Sequence, residues 1–430
     1  MTDTIFAPAT PPGVGAIAVI RISGLGTDAA LTALTGRPLP APRMASLRVL
    51  KDRDGAALDE ALVLRFVHGK SFTGESAAEL QCHGGRAVVR AVLDALASLP
   101  GLRLAEPGEF TRRALEAGRM DLAQVEGLAD LVAAETDLQR RQALRQMGGA
   151  LSRRIESWRL DLIRARALLE AVIDFADEDV PEDVTPEVAG LLSSVKADLM
   201  SALAGGRAAE RLRSGFEVAL IGAPNTGKST LLNAIAGREV AITSEIAGTT
   251  RDVIEVAMDL GGMAVTMLDT AGLRDTSDVV EAIGVARARQ RAEAADLRVL
   301  LDPDGDADRA LLIDGDLLVR SKADLTGVTG ALALSAKTGE GVSDLLLIIE
   351  TSLVTRIGNA SELSRLRHRR AVESTITAIE AAEHVVAVAG PLEIAAEELR
   401  GATSALESVI GRVDAERILD DIFSSFCLGK

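Results

Sequence analysis

The 430-residue chain has no tyrosine, one tryptophan and eight phenylalanines. Stacking platforms for single-stranded nucleic acid need aromatic faces, so this composition argues against one. Its two cysteines, Cys82 and Cys427, are too few for a disulfide framework or a four-ligand zinc site. A reducing compartment follows, and we expect a cytoplasmic protein. No apolar run approaches the roughly 18 residues of a membrane span, so no membrane contact is expected. The opening MTDTIFAPATPPG has no basic segment or long apolar stretch, and so does not read as a secretory signal. Positive charge is also short: 47 Lys and Arg face 63 Asp and Glu, a net charge of −16. Any contact with nucleic acid must therefore rest on a local patch. Lysine is scarcer still, confined to Lys51, Lys70, Lys196, Lys228, Lys322, Lys337 and Lys430.

What is present is enough to fold. Apolar residues make up 47% of the chain, and at roughly 150 residues per domain the length suits about three domains. Residues 1–118 mix helices with short strand-like runs at 16–23, 46–50, 61–67 and 78–85, which predicts a compact α+β domain. Residues 119–212 read as helical. Leu151, Ile155, Trp158, Leu162, Ala165, Leu169 and Val172 recur in steps of four and three, an apolar stripe on one long helix. Residues 213–356 alternate strand and helix, the pattern of a largely parallel sheet. Residues 357–430 are helical again. The two helical stretches each need a partner for their apolar stripe, so we expect one helical domain with an α/β domain inserted into it.

GAPNTGKST (222–230) follows the strand-like EVALI and opens a helix, which is the context a phosphate-binding loop requires. Lys228 is placed to reach the β- and γ-phosphates and Ser229 to bind Mg²⁺. Four further segments come in the order a GTP site needs. AGTTRD (247–252) offers Thr250 to Mg²⁺. DTAG (269–272) offers Asp269 to the metal through water and the Gly272 amide to the γ-phosphate. SKAD (321–324) offers Asp324 to guanine's ring N–H and exocyclic amine, with Lys322 along the base. SAK (335–337) brings the Ala336 amide to guanine O6. The base-reading segment normally begins with Asn. Here it begins with Ser321, whose shorter hydroxyl is expected to contact base and loop less well and to weaken affinity. The GTP-contacting set is thus Asn225, Thr226, Gly227, Lys228, Ser229 and Thr230; Ser244, Glu245, Ile246, Ala247, Gly248, Thr249 and Thr250; Asp269, Thr270, Ala271 and Gly272; Ser321, Lys322 and Asp324; and Ser335, Ala336 and Lys337.

The residue after the DTAG glycine, where many small GTPases carry a water-orienting Gln, is Leu273. The catalytic polar group must come from elsewhere. Glu281 lies nine residues past Gly272 and reads either as that group or as a solvated helix-start carboxylate. Positive charge for the transition state could come from Arg251, Arg274, Arg287, Arg289 or Arg291, or from a monovalent cation beside Asn225.

The chain resembles the MnmE (TrmE) family of tRNA-modifying GTPases from end to end. The resemblance is carried by GVGAIAVIRISG (13–24), FTGESAAELQCHGG (72–85), EPGEFTRRALEAGRMDLAQVEGLADLV (106–132), IDFADED (173–179), DTAGLRDTSDVVEAIG (269–284) and the terminal CLGK (427–430). It implies a multidomain protein: an α+β N-terminal domain of folate-binding type that dimerises, a helical domain in two pieces, and an inserted Ras-like G domain. It implies a potassium site on Asn225, Ser244, Ile246 and Thr249, and Glu281 as the catalytic group. It implies binding of 5-formyltetrahydrofolate, or another one-carbon tetrahydrofolate, by Arg21, Glu79, Arg119 and Lys430. The position of Arg119 is commonly Lys in the family. Cys427 takes a role in tRNA modification distinct from GTP hydrolysis, while Cys82 reads as structural. The implied partner is the flavoprotein MnmG (GidA), in a heterotetramer or larger assembly. Together they install an aminomethyl or carboxymethylaminomethyl group on C5 of the tRNA wobble uridine.

Two other functions fit parts of the chain. An Era/Der-like ribosome-assembly switch accounts for the GTP motifs alone, and a folate-dependent one-carbon transferase regulated by GTP shares the N-terminal domain. For tRNA, the candidates are eight arginines in 137–166 (140, 141, 145, 153, 154, 159, 164 and 166) and the group Arg365, Arg367, Arg369 and Arg370. A solvated helix face explains them equally well.

Overall fold

The structure is a computed structural model. It describes residues 3–174, 184–238, 241, 255–269, 290–291, 293–306, 309, 312–328, 332–358, 360–413, 423 and 429. Met1–Ala129 and Glu407–Lys430 make one compact unit, and Asp130–Leu406 make another.

The first unit contains β1 (Thr4–Pro8), β2 (Ile17–Ser23), α1 (Thr27–Thr35), β3 (Ser46–Lys51), β4 (Ala57–Phe66), β5 (Ala77–His83), α2 (Arg86–Ala97), β6 (Leu102–Leu104), α3 (Glu109–Glu116) and the start of α4 (Leu122–Ala133). The sheet order is β3-β4-β5-β2-β1-β6, and every pairing is antiparallel except β1 with β6. Period-two alternation divides its faces. Ile20 and Ile22 of β2 and Ala78, Leu80 and Cys82 of β5 are buried with Leu31 and Leu34 of α1 and Val92 and Leu96 of α2. The intervening residues, Arg21 and Ser23 of β2 and Glu79 of β5, therefore share the opposite face.

Residues 407–430 group with this unit and not with the helices that precede them. Buried Phe423 clusters with Val125, and the Leu122 N–H donates to Ile410 O at 3.2 Å.

The second unit continues with α5 (Asp137–Met147), α6 (Ala150–Asp174), α7 (Thr185–Ala204) and α8 (Gly206–Ser214). Then come β7 (Phe216–Ile221), α9 (Lys228–Ala236), β8 (Glu255–Leu260), β9 (Met263–Asp269), β10 (Leu297–Leu301), β11 (Leu317–Val319), α10 (Ala323–Thr326), α11 (Val342–Ile357), α12 (Leu366–Ala387) and α13 (Leu392–Val409). The strand order is β11-β10-β7-β9-β8, parallel except for the β8–β9 hairpin. Val218 and Leu220 of β7 face one core while Ala219 and Ile221 face another, as expected of a central strand covered on both sides.

The expected apolar stripe is real over most of its length: Leu151, Ile155, Trp158, Leu162, Ala165 and Leu169 of α6 are buried. α7 packs on both α6 and α12, so helices from either side of the α/β segment do meet. By length and composition Thr185–Ser214 could cross a membrane. Its α7 part buries Val188, Leu192, Val195, Leu199 and Ala202.

One turn matters for the site. Gly261 and Gly262 close the β8–β9 hairpin at φ +61° and +84°, the left-handed region open to glycine. The Leu138 N–H of α5 donates to Gly262 O at 3.2 Å. Gln139, beside it, accepts from Thr136 N at 3.2 Å and donates to Arg213 O at 3.0 Å.

Candidate active site

The phosphate loop leaves the end of β7 and enters α9. Gly222, at φ +142°, lies so close to β10 that a Cβ there would sit 2.6 Å from Leu301 O. No other residue tolerates both constraints. Lys228 is 6% exposed, and its Nζ donates to Gly222 O at 2.7 Å and Ala223 O at 2.9 Å. Burial pushes its pKa down, and the nearby Asp269 carboxylate opposes the shift. The ammonium thus sits inside the loop, where phosphate oxygens can take over from the carbonyls. The first-turn N–H groups of α9 add the positive end of a helix. Asn225 stands at the exposed crest with φ +65°.

At the other strand end, Ser229 Oγ donates to Asp269 Oδ2 at 2.6 Å. A hydroxyl and a carboxylate held together at the phosphate loop are hard oxygen donors of the kind Mg²⁺ takes.

The base-reading segments meet beside this loop. The Leu334 N–H donates to Arg320 O at 2.9 Å and the Ala323 N–H to Leu334 O at 3.0 Å, tying the SKAD and SAK turns together. A cavity of about 210 Å³ opens there, lined by Thr226, Ser321, Lys322, Asp324, Ala336 and Lys337 among others. Ser321 is 2% exposed and its Oγ donates to Thr226 O at 2.8 Å. The shorter side chain therefore still makes the link to the phosphate loop that it was expected to make less well.

A second cavity, of about 270 Å³, lies on the first unit's polar sheet face. β2 pairs with β5 in the register Arg21↔Glu79, which puts the two side chains abreast. Arg21 Nε and Nη2 donate to Glu79 Oε1 at 3.2 and 3.0 Å. The guanidinium lies 5.7 Å from the Phe72 ring centroid and 5.8 Å from that of Phe110. Arg119 lines the same cavity, with Arg43 and Lys70. Four cations against one carboxylate suit a ligand carrying carboxylates, and Glu79 can accept from a ring N–H. Arg21 Nη1 also donates to Gly429 O at 3.3 Å, so this one described residue of the terminal CLGK lies beside the Arg21–Glu79 pair.

Behind the cavity stands a network not anticipated from sequence. Ser23 Oγ donates to Glu75 Oε2 at 2.7 Å and lies 2.7 Å from Thr73 Oγ1. Glu75 accepts from Arg113 Nη1 at 3.1 and 3.2 Å. Arg113, 2% exposed, also donates to Glu109 Oε1 at 2.9 Å and Asp3 Oδ1 at 3.1 Å. The signal was present in FTGES, whose Thr73 and Glu75 are two of its members.

Comparison with known proteins places the chain in a family. The family described as MnmE helical domain matches residues 122–427, and GTP-binding protein TrmE N-terminus matches residues 4–119. Three relatives are each called tRNA modification GTPase MnmE. Those of a Cereibacter sphaeroides strain and of Ruegeria pomeroyi are 57% identical over 431 and 430 residues, and that of Dinoroseobacter shibae is 53% identical over 429. All three alignments cover 100% of both chains. The chain belongs to the MnmE family of tRNA modification GTPases. It is a GTP hydrolase acting in tRNA modification, and GTP is its nucleotide.

In this MnmE-family chain the structure brings together Asn225 to Thr230, Asp269, Ser321, Lys322, Asp324, Ser335, Ala336 and Lys337 around the phosphate loop and the cavity beside it. It brings Arg21, Glu79 and Arg119 together in the cavity of the first unit. Ser244 to Thr250, Thr270 to Gly272, Glu281, Cys427 and Lys430 lie outside the described residues. So do Arg251, Arg274, Arg287 and Arg289. Arg291 is described, and it is held by Glu217 at 2.7 Å and by Glu255.

The arginine stripe of 137–166 breaks into two helices at Gly148 and Gly149, and seven of its eight arginines are ion-paired, sharing five carboxylates. Asp137 pairs with Arg140 and Arg141, Glu362 with Arg145 and Arg154, Glu156 with Arg159, Glu187 with Arg164 and Glu170 with Arg166. Arg365 and Arg369 pair with Asp130 and Glu210. Glu362 and Glu187 come from distant sequence, so local charge counting misses them. Cys82 is 2% exposed, and burial, with help from Asp59, pushes its thiol pKa up to about 12.

Proposed function

We propose that the chain is a potassium-dependent cytoplasmic GTPase. With a flavoprotein of the MnmG (GidA) type, it adds an aminomethyl or carboxymethylaminomethyl group to C5 of the tRNA wobble uridine, position 34. The observation that carries this reading is the contact of Arg21 with Gly429 O. It joins Gly429 of the CLGK motif to a residue lining the cation-rich cavity in the same unit. An Era/Der-like switch gives no reason for that cavity.

In this reading residues 1–118 bind the one-carbon folate and dimerise. Residues 119–212 and 357–430 supply the helical domain, its last stretch from 407 grouping with the first unit, and 213–356 form the G domain. Arg21 and Arg119 hold the folate's carboxylates and Glu79 accepts from its pterin ring, with Lys430 adding charge. The folate supplies the carbon unit. Cys427 acts in the modification and not in hydrolysis. At the other site Lys228 neutralises the phosphates, Ser229 and Thr250 hold Mg²⁺, and Asp269 positions it. Asn225, with Ser244, Ile246 and Thr249, holds K⁺ in place of an arginine finger. Glu281 orients the attacking water.

Mass spectrometry of wobble nucleosides from cells lacking the protein tests the reaction; an unchanged pool of C5-modified uridine overturns it. In vitro, Glu281→Ala should bind GTP normally and turn over slowly. Replacing K⁺ by Na⁺ should slow the unmodified protein likewise, and equal rates remove potassium from the scheme.

A further inference from the structure

We infer that this chain recognises guanine without a side-chain hydrogen bond to N7, and that Ser321 is the residue that sets this. The inference rests on the reading that the 210 Å³ cavity takes the guanine base.

Guanine presents two kinds of edge. Its N1–H and exocyclic amine are donors, and Asp324 is the carboxylate in the cavity that can accept both. O6 and N7 are acceptors, and each needs a donor. The Ala336 backbone serves O6. With those groups engaged, N7 lies on the side of O6 away from Asp324. Thr230, Lys322 and Lys337 are side-chain donors of the lining, and Ser321 and Thr226 are its buried polar side chains.

Each of those hydroxyls has one hydrogen to give, and each hydrogen is already used. Ser321 Oγ donates to Thr226 O at 2.8 Å, and Thr226 Oγ1 donates to Ala223 O at 2.9 Å. Both residues are buried, at 2% and 4% exposure, so water does not readily take over these bonds. What Ser321 can turn toward N7 is a lone pair, and two acceptors do not bond. Backbone N–H groups nearby are also engaged: Ala323 with Leu334 O, and Leu325 and Thr326 with Lys322 O. An Asn at this position has two amide hydrogens and a carbonyl, enough to serve loop and base together. Serine keeps the bond to the loop and gives up the one to the base.

The test is calorimetric binding of GDP and 7-deaza-GDP, with Mg²⁺, to the full chain and to Ser321→Asn and Ser321→Ala. 7-Deaza-GDP carries C–H in place of N7. The unmodified protein should bind the two nucleotides within about twofold. Ser321→Asn should bind GDP about fivefold more tightly than 7-deaza-GDP. Ser321→Ala loses the tie to Thr226 and should weaken both equally, leaving their ratio near one. A fivefold preference for GDP in the unmodified protein overturns the inference and leaves the guanine site standing. A ratio near one in Ser321→Asn removes Ser321 as the determinant. No binding of GDP at all overturns the site and the inference together.

Discussion

Arg113→Met should cost the first unit about 3 kcal/mol. The side chain is 2% exposed and donates to Glu75, Glu109 and Asp3. Removing one partner of a buried ion pair typically costs about 3 to 5 kcal/mol, because the remaining charge stays buried. The low end applies here. Glu109 keeps Arg103 at 2.6 and 2.8 Å and the Glu106 N–H at 2.9 Å, and Glu75 keeps the Ser23 hydroxyl. Methionine fills much of the vacated volume without adding a polar group. Units of about 150 to 250 residues lose about 2 to 4 °C per kcal/mol, so the transition should fall by about 6 to 12 °C. Calorimetry and urea titration followed by far-UV circular dichroism suit the measurement. The lone tryptophan, Trp158, belongs to the other unit, so its fluorescence does not follow this network. A loss below about 1 kcal/mol would refute the reasoning, since it would mean that Glu75 and Glu109 are comfortable without the guanidinium.

The same network should make the unit acid-sensitive. Burial raises the Glu109 pKa, but hydrogen bonds from Arg103, the Glu106 N–H and Arg113 outweigh it, and the net shift is downward. Its stabilisation is therefore present above the unfolded pKa of about 4.3 and is lost as pH falls through the lower folded value. Glu109→Gln should flatten that part of the urea midpoint-versus-pH curve, and an unchanged curve counts against it. In Cys427→Ser, Cys82 is the remaining thiol; with its pKa near 12 it should resist an aromatic disulfide reagent at pH 8 until the protein is unfolded. Fast labelling of the native protein would contradict its burial. Asp324→Asn should weaken GTP binding about 10- to 100-fold and favour xanthosine nucleotides, whose O2 accepts where guanine donates. Undiminished GTP affinity in that variant would remove Asp324 from base reading.

Patterns tied to local geometry were legible in the sequence. The strands expected at 16–23, 46–50 and 78–85 appear at Ile17–Ser23, Ser46–Lys51 and Ala77–His83. The phosphate loop was readable because loop, strand and helix are contiguous. β1 and β6 were not foreseen: β1 ends in Pro8 and β6 has three residues, too little for an alternation to register. The cation-rich cavity shows the limit most clearly. Arg21 and Glu79 are 58 residues apart, and only the β2–β5 register makes them neighbours. The pairing of Arg154 with Glu362, 208 residues away, is likewise a product of tertiary packing. Together with the other pairs it lowers the charge of what looks like a basic stripe. Ser321 stands out in the sequence as a departure, but its bond to Thr226 depends on how closely two loops approach.

The hairpin turn at Gly261 and Gly262 gives β9 a mechanical meaning. One end of the strand carries Asp269, bonded to Ser229; just beyond its other end Gly262 is bonded to Leu138 of α5. Between them lies a rod of roughly 23 Å at the usual strand rise. It is clamped along its length between β7 and β8 and is therefore poor at bending. The strand thus joins the Asp269–Ser229 pair to the first turn of α5, and through Gln139 to Arg213 among the last residues of α8.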